Sequence, residues 1–201
     1  MNYTGPKVKL SRQIGVPLTP KAARIMEKRS YPPGQHGQAK QFRRKVSDYG
    51  RQLMEKQKLR AQYNIHERQM RNYIDRATRK KGVTGDVLFQ ILEPRLDAVV
   101  YRAGFARTIY AARQYVNHGH VLVDGKRVNL PAQEIQVGQT VSIKQKSRTM
   151  PNIQEAISDA APPSYLSLNK DNMSVQLARL PQREEVPVIC EVQLVVEYYS
   201  R

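Results

Sequence analysis

The chain has 201 residues, and its 34 Lys and Arg against 17 Asp and Glu give a formal charge of +17. That length allows one large domain or two small ones, and 40% apolar residues suffice for a packed core, but no apolar run approaches the roughly 20 residues of a transmembrane helix. The opening Met1-Asn2-Tyr3-Thr4-Gly5-Pro6-Lys7 lacks the apolar stretch of a secretory signal, and the single cysteine, Cys190, excludes an internal disulfide and a cysteine zinc cluster. Residence in a cytosol, or in an organelle with its own genes, fits these features.

The charge is unevenly placed. Residues 1–91 carry a net +15, residues 92–150 a net +5, and residues 151–201 a net −3. A segment at that positive density repels itself unless a polyanion neutralises it. Nucleic acid and an anionic membrane surface are the two polyanions to consider.

Residues 1–46 read as a basic extension broken by Gly5-Pro6, Gly15, Pro17, Pro20 and Pro32-Pro33-Gly34, with one short helix over Ala22–Arg29. Residues 47–91 read as helical. Ser47 caps a helix over Tyr49–Tyr63, and a second runs over His66–Arg79 with Met70, Tyr73, Ile74 and Ala77 on one apolar stripe. Thr84 caps a third, with Val87, Leu88, Ile91 and Leu92 facing inward.

Residues 92–150 read as helix, helix, hairpin, strand. Leu96, Val99 and Val100 form a stripe ending at Gly104; Thr108 caps the next helix, which ends at Gly119. Asp124-Gly125 is a two-residue hairpin signal between Val121–Val123 and Lys126–Asn129, and a strand follows over Thr140–Lys144. Residues 151–201 offer a short helix near Ile153–Ile157 and strands over Tyr165–Leu168, Val175–Leu180 and Glu191–Tyr199. Cys190 lies beside the apolar Val186–Val196 stretch and reads as a core residue.

For chemistry the chain offers little. It has no phosphate-binding GxxxxGK[ST] loop, no GxGxxG after a strand and no GxSxG elbow. Glu93 and Asp97 are four apart but fit a salt-linked helix surface better than an acid/base pair. His118-Gly119-His120 lacks Cys, Asp or Glu partners at metal-ligand spacing, so capping or RNA contact suits it better. No enzymatic activity is expected.

For binding it offers more. Tyr31-Pro32-Pro33-Gly34-Gln35-His36-Gly37 is a rigid turn in which a backbone can approach a phosphate and Tyr31 can stack; an ordinary polar loop is the other reading. Lys40, Arg43, Arg44 and Lys45 precede the first long helix, and Arg51, Lys56, Lys58 and Arg60 continue the run as a phosphate track.

The stretch from Leu92-Glu93-Pro94-Arg95-Leu96-Asp97 through His118-Gly119-His120-Val121-Leu122-Val123-Asp124-Gly125-Lys126-Arg127 resembles the S-four RNA-binding domain. The Tyr31–Gly37 loop, Ser47-Asp48-Tyr49-Gly50, Glu55-Lys56-Gln57-Lys58-Leu59-Arg60 and the ending Val195-Val196-Glu197-Tyr198-Tyr199-Ser200-Arg201 resemble the bacterial-type small-subunit ribosomal protein S-four family over essentially the whole chain.

That resemblance implies an α+β protein: a mainly helical N-terminal domain completed by the C-terminal tail, residues 151–201, plus a small α+β S-four domain. It implies direct binding to 16S ribosomal RNA at a multi-helix junction, early in assembly, beside the fifth small-subunit protein and near messenger RNA where it enters the subunit. An influence on decoding accuracy follows, in a cytoplasmic ribosome or in a plastid stroma if the gene is organellar. Carried over by position, RNA contacts are Tyr31, Pro33, Gly34, Gln35, His36, Gly37, Lys40, Arg43, Arg44, Lys45, Arg51, Lys56, Lys58, Arg60, Arg71, Arg95, Arg107, Arg113, His118, His120 and Arg127, with Asp97 positioning Arg95 or a backbone group rather than touching phosphate.

One departure matters. The zinc-binding cysteines of many relatives correspond here to positions near Val8, Ser11, Thr19 and Arg24, so no zinc and no other cofactor is expected. Neither a membrane nor a homo-oligomer is expected. Three rivals are weighed: an RNA-modifying enzyme, for which no catalytic domain fits; a stress-type S-four protein, which lacks the Tyr31 loop; and a basic membrane-surface protein.

Overall fold

The computed structural model describes residues 3–39 and 46–200. The fold is α+β and divides into two compact units, one of residues 1–85 with 188–201, the other Asp86–Pro187.

In the first unit the N-terminal segment is more regular than its prolines suggest. Helix α1 spans Lys7–Ile14 and α2 spans Pro20–Lys28. Thr19 caps α2 by accepting the Ala22 N–H at 3.1 Å, and Pro20 starts the helix where a missing N–H costs nothing. Ser11 is fully buried, its hydroxyl donating to the Lys7 carbonyl at 2.9 Å and accepting from the Leu18 N–H at 3.1 Å. That bond, with buried Ile14, Val16, Leu18 and Ala22, holds the two helices together.

Helix α3 (Asp48–Gln62) begins at the Ser47 cap, and α4 (Glu67–Arg79) buries Met70, Tyr73, Ile74 and Ala77 as the periodicity requires. The chain end closes this unit. Glu191–Tyr199, expected as a strand, is instead the helix α9, Val192–Tyr199, packed on α3 and α4. Its β-branched content suggests a strand, but placing Val195 in the core over two helices favours a helical stripe. Gln52 Nε2 donates to Glu197 at 2.9 Å, the Tyr199 hydroxyl donates to Glu67 at 2.7 Å, and the Gln62 side chain makes two bonds to the Ile189 backbone.

In the second unit α5 (Thr84–Leu92), whose first turn contains the division, is followed by α6 (Leu96–Arg102) and α7 (Ile109–Asn117). Strands β1 (Val121–Val123), β2 (Lys126–Arg127) and β3 (Thr140–Ile143) follow; then come α8 (Pro151–Ser158), β4 (Leu166–Asn169) and β5 (Ser174–Leu177). Asp124 and Gly125 both have positive φ, 48° and 77°, as a tight hairpin turn demands.

The sheet order is β2-β1-β3-β5-β4, all antiparallel. Strand β5 pairs with β3, Val141 opposite Val175. This corrects the expectation that residues 151–201 pack as a whole on the helical part. Leu166, Val175 and Leu177 bury their alternate side chains against Val141, Ile143 and Phe105, so the tail up to Pro187 completes the second unit and only the last residues return to the first. Cys190 is half-buried rather than a core residue.

Candidate nucleic-acid interface

Among the described residues of the first unit, the Tyr31–Gly37 turn is held by a residue the sequence did not single out. Arg12 on α1 donates from Nε to the Tyr31 carbonyl at 3.1 Å and from Nη2 to the Pro32 carbonyl at 3.5 Å, with its guanidinium 4.8 Å from the Tyr31 ring centroid. Gly34, Gln35 and His36 are exposed and Pro33 is half-buried. Gly37 is buried, and a Cβ there would lie 2.0 Å from the Pro32 carbonyl oxygen. Its role is close packing of the turn on itself. Lys40, Arg43, Arg44 and Lys45 lie outside the described residues.

The helical phosphate track divides. Arg51 is well exposed and bonded to Asp48; Lys58 is bonded to Glu55; Arg60 approaches Glu67 at 3.7 Å. Lys56 is different. Its side chain is 5% exposed, its ammonium 3.0 Å from Glu67 and 4.6 Å from the Tyr198 ring centroid. A cation so enclosed cannot reach a phosphate, so Lys56 fastens α3 to α4 and α9 and is withdrawn from the contact residues. Arg71 is exposed on α4, and Arg68 and Arg79, which lie off the same apolar stripe, share its exposure.

In the second unit the largest correction is Arg95. Its side chain is 0% exposed and forks onto Asp97, Nε to Oδ1 at 3.1 Å and Nη2 to Oδ2 at 2.7 Å. Asp97 therefore neutralises Arg95 in the core rather than aiming it at RNA. Arg113, 17% exposed, reaches the same carboxylate at 3.2 Å. Burial pushes the Asp97 carboxyl above its ordinary value, and the two guanidinia act against that push. A second buried carboxylate, Glu93, takes a fork from Arg102 and the Tyr165 hydroxyl at 2.7 Å. Arg107 is exposed and pairs with Glu155 at 3.0 Å.

The remaining predicted contacts of this unit, His118, His120 and Arg127, lie at and beside the hairpin. His118 caps the C-terminus of α7 and His120 leads into β1, their ring centroids 6.0 Å apart. Between them Gly119 has φ +70°, and a Cβ there would lie 2.1 Å from the Arg127 Nε. The Arg127 side chain from β2 thus lies over a glycine that only a glycine's missing side chain allows. His120 Nδ1 is 2.8 Å from the buried Ser147 hydroxyl, and its ring meets the Tyr115 ring edge to face. Burial first, then the charges of His118, Lys144 and Arg127, hold the His120 imidazole below its ordinary value. Among the described residues none of His118, His120, Arg127 and Lys144 has an ion pair to a carboxylate, whereas Arg95, Arg102, Arg107 and Arg113 of the same unit all do.

Comparison with known proteins finds two family matches along the chain. The model for the ribosomal protein S4/S9 N-terminal domain matches residues 2–93, and that for the S4 domain matches residues 94–141. A small ribosomal subunit protein uS4 from Micrococcus luteus is 51% identical, covering 96% of this chain and 95% of its own. One from Leifsonia xyli is 52% identical over 96% of both chains, and one from Thermobifida fusca is 47% identical over the full length of both. The structural unit that contains the S4 match continues well past it, to Pro187.

Proposed function

The chain belongs to the uS4 family of small ribosomal subunit proteins, and from that premise we propose that it binds 16S ribosomal RNA directly, as a primary binder that nucleates assembly of the subunit body. At the coarser level it is a structural, non-enzymatic constituent of the small ribosomal subunit, an RNA-binding protein of translation. The observation that carries the finer reading is the unbalanced charge, +15 over residues 1–91, displayed on α4 by exposed Arg68, Arg71 and Arg79. Phosphates of a folded RNA junction present fixed negative charge that such a preformed surface matches.

The same reading places it beside the fifth small-subunit protein and close to messenger RNA where it enters the subunit, contributing to decoding accuracy. It acts in the ribosome of a cytoplasm or of a plastid stroma, without zinc, without a membrane and as a single copy. In support of a zinc-free N-terminal segment, Ser11 and Thr19, two of the positions matching the relatives' cysteines, serve instead as hydrogen-bonding residues that join and cap α1 and α2.

Footprinting of the purified chain on naked small-subunit RNA at several salt concentrations tests this. Protection of one defined junction is expected. Equal affinity for unrelated RNA, with no localised protection, overturns it.

A further inference from the structure

In the second unit several arginines face a carboxylate, whereas a group of basic side chains at the hairpin does not. Arg95, Arg102, Arg107 and Arg113 are neutralised by Asp97, Glu93 and Glu155. His118, His120, Arg127 and Lys144 come from four places, the end of α7, the start of β1, strand β2 and the residue after β3, and none of them has a carboxylate ion pair among the described residues. Four cationic or protonatable groups brought together without a counter-charge repel one another, which costs stability in the free chain. An anion seated among them removes that cost.

The surroundings are built for a fixed arrangement. Ser147, buried, holds His120 Nδ1 at 2.8 Å and so fixes the ring. Tyr115 packs against the same ring, and Gly119, having no side chain, leaves room for the Arg127 guanidinium beside it. The groups facing His120 are therefore Tyr115 and His118 from α7, Arg127 from β2, Lys144 after β3 and Ser147.

We propose that His118, His120, Arg127 and Lys144 form a single anion site that takes one backbone phosphate of RNA, and that filling it charges the His120 imidazole, so that RNA binding by this unit takes up a proton. This rests on the RNA-binding reading above and goes beyond it by naming the site and its coupling to pH. The direction follows from linkage. Burial, and after it the neighbouring His118, Lys144 and Arg127, keep the empty site's His120 below its ordinary value. A phosphate beside it favours the imidazolium and raises that value. Between the two values the bound state holds more protons than the free one, so affinity rises as pH falls, approaching at most about tenfold per pH unit for the one imidazole that charges. Binding weakens toward alkaline pH, where Arg127 and Lys144 alone hold the phosphate.

The test measures binding of the full chain to a small-subunit RNA transcript from pH 8 to pH 5.5 at constant ionic strength. The wild-type affinity is expected to rise through the imidazole range. The double variant His118→Gln/His120→Gln is expected to bind more weakly and to lose that rise. A rise retained in the double variant arises outside this site and overturns the proposal, as does a flat wild-type profile. Imidazole Cε1–H titrations of the free chain with and without inorganic phosphate give a second readout. Upward movement of the His120 midpoint supports the site, and an unmoved midpoint overturns it. Failure of the wild type to bind RNA at any pH sinks the functional reading, and the phosphate titration still decides the site.

Discussion

Arg95 and Asp97 are joined by two hydrogen bonds, at 3.1 Å and 2.7 Å, where neither side chain meets solvent. Such a pair is costly to bury but far more costly to break, because removing one charge strands the other. Asp97→Asn keeps the shape and removes the charge that neutralises both Arg95 and Arg113. It should destabilise the chain by about 3–5 kcal/mol, read as a lowered denaturant midpoint. Arg95→Met with Asp97→Leu should cost less, because only Arg113, whose side chain reaches partly to solvent, then loses that carboxylate. An unchanged midpoint in Asp97→Asn would show that the fork contributes nothing.

Glu67 makes the first unit sensitive to acid. Burial lifts its carboxyl, but hydrogen bonds from Tyr199 and Lys56 and the charges of Lys56 and Arg60 outweigh that and hold it below the ordinary glutamate value. A carboxylate depressed by folding contributes stability that is complete above its unfolded value, ~4.3, and is lost as pH falls through the folded one. Glu67→Gln should therefore lower the urea midpoint at pH 7 and pH 5, with the gap to wild type closing below about pH 4. A gap independent of pH would count against an ionised Glu67 as its source.

Much of this was legible in the residues, for reasons that are local. Met70, Tyr73, Ile74 and Ala77 stand at helical spacing and are buried together on α4, and Asp124-Gly125 sits at the turn between β1 and β2. Three features escaped because they depend on distant partners. Val192–Tyr199 has the composition of a strand and becomes a helix where α3 and α4 receive it. The pairing of β5 with β3 joins segments separated by α8, which no local signal announces. Arg95 and Lys56 look like any other cations in a basic stretch; only the carboxylates opposite them show that they face inward.

That distinction separates structural from RNA-facing cations by experiment. Arg71 is exposed, whereas Lys56 is enclosed by Glu67 and Tyr198. If Arg71 meets a phosphate, Arg71→Ala should reduce the log–log salt slope of RNA binding by about 0.7–0.9 and leave the unfolding midpoint nearly unmoved. Lys56→Met should do the reverse, lowering the midpoint and leaving the slope unchanged. Equal effects of the two variants on the slope would contradict the assignment of Lys56 to the interior.

The N-terminal helices give the last contrast. Ser11 is fully buried and its hydroxyl accepts the Leu18 N–H at 3.1 Å while donating to the Lys7 carbonyl at 2.9 Å. Ser11→Ala strands the Leu18 N–H in a buried place, at a cost of about 1–3 kcal/mol, and should raise amide exchange over α1 and α2. If hydrogen bonds and apolar packing order this segment without zinc, a chelator should leave the wild-type exchange pattern and unfolding midpoint untouched. Loss of protection in α1 and α2 on adding chelator, with Ser11→Ala behaving as wild type, would mean that a metal rather than the Ser11 hydroxyl holds the two helices.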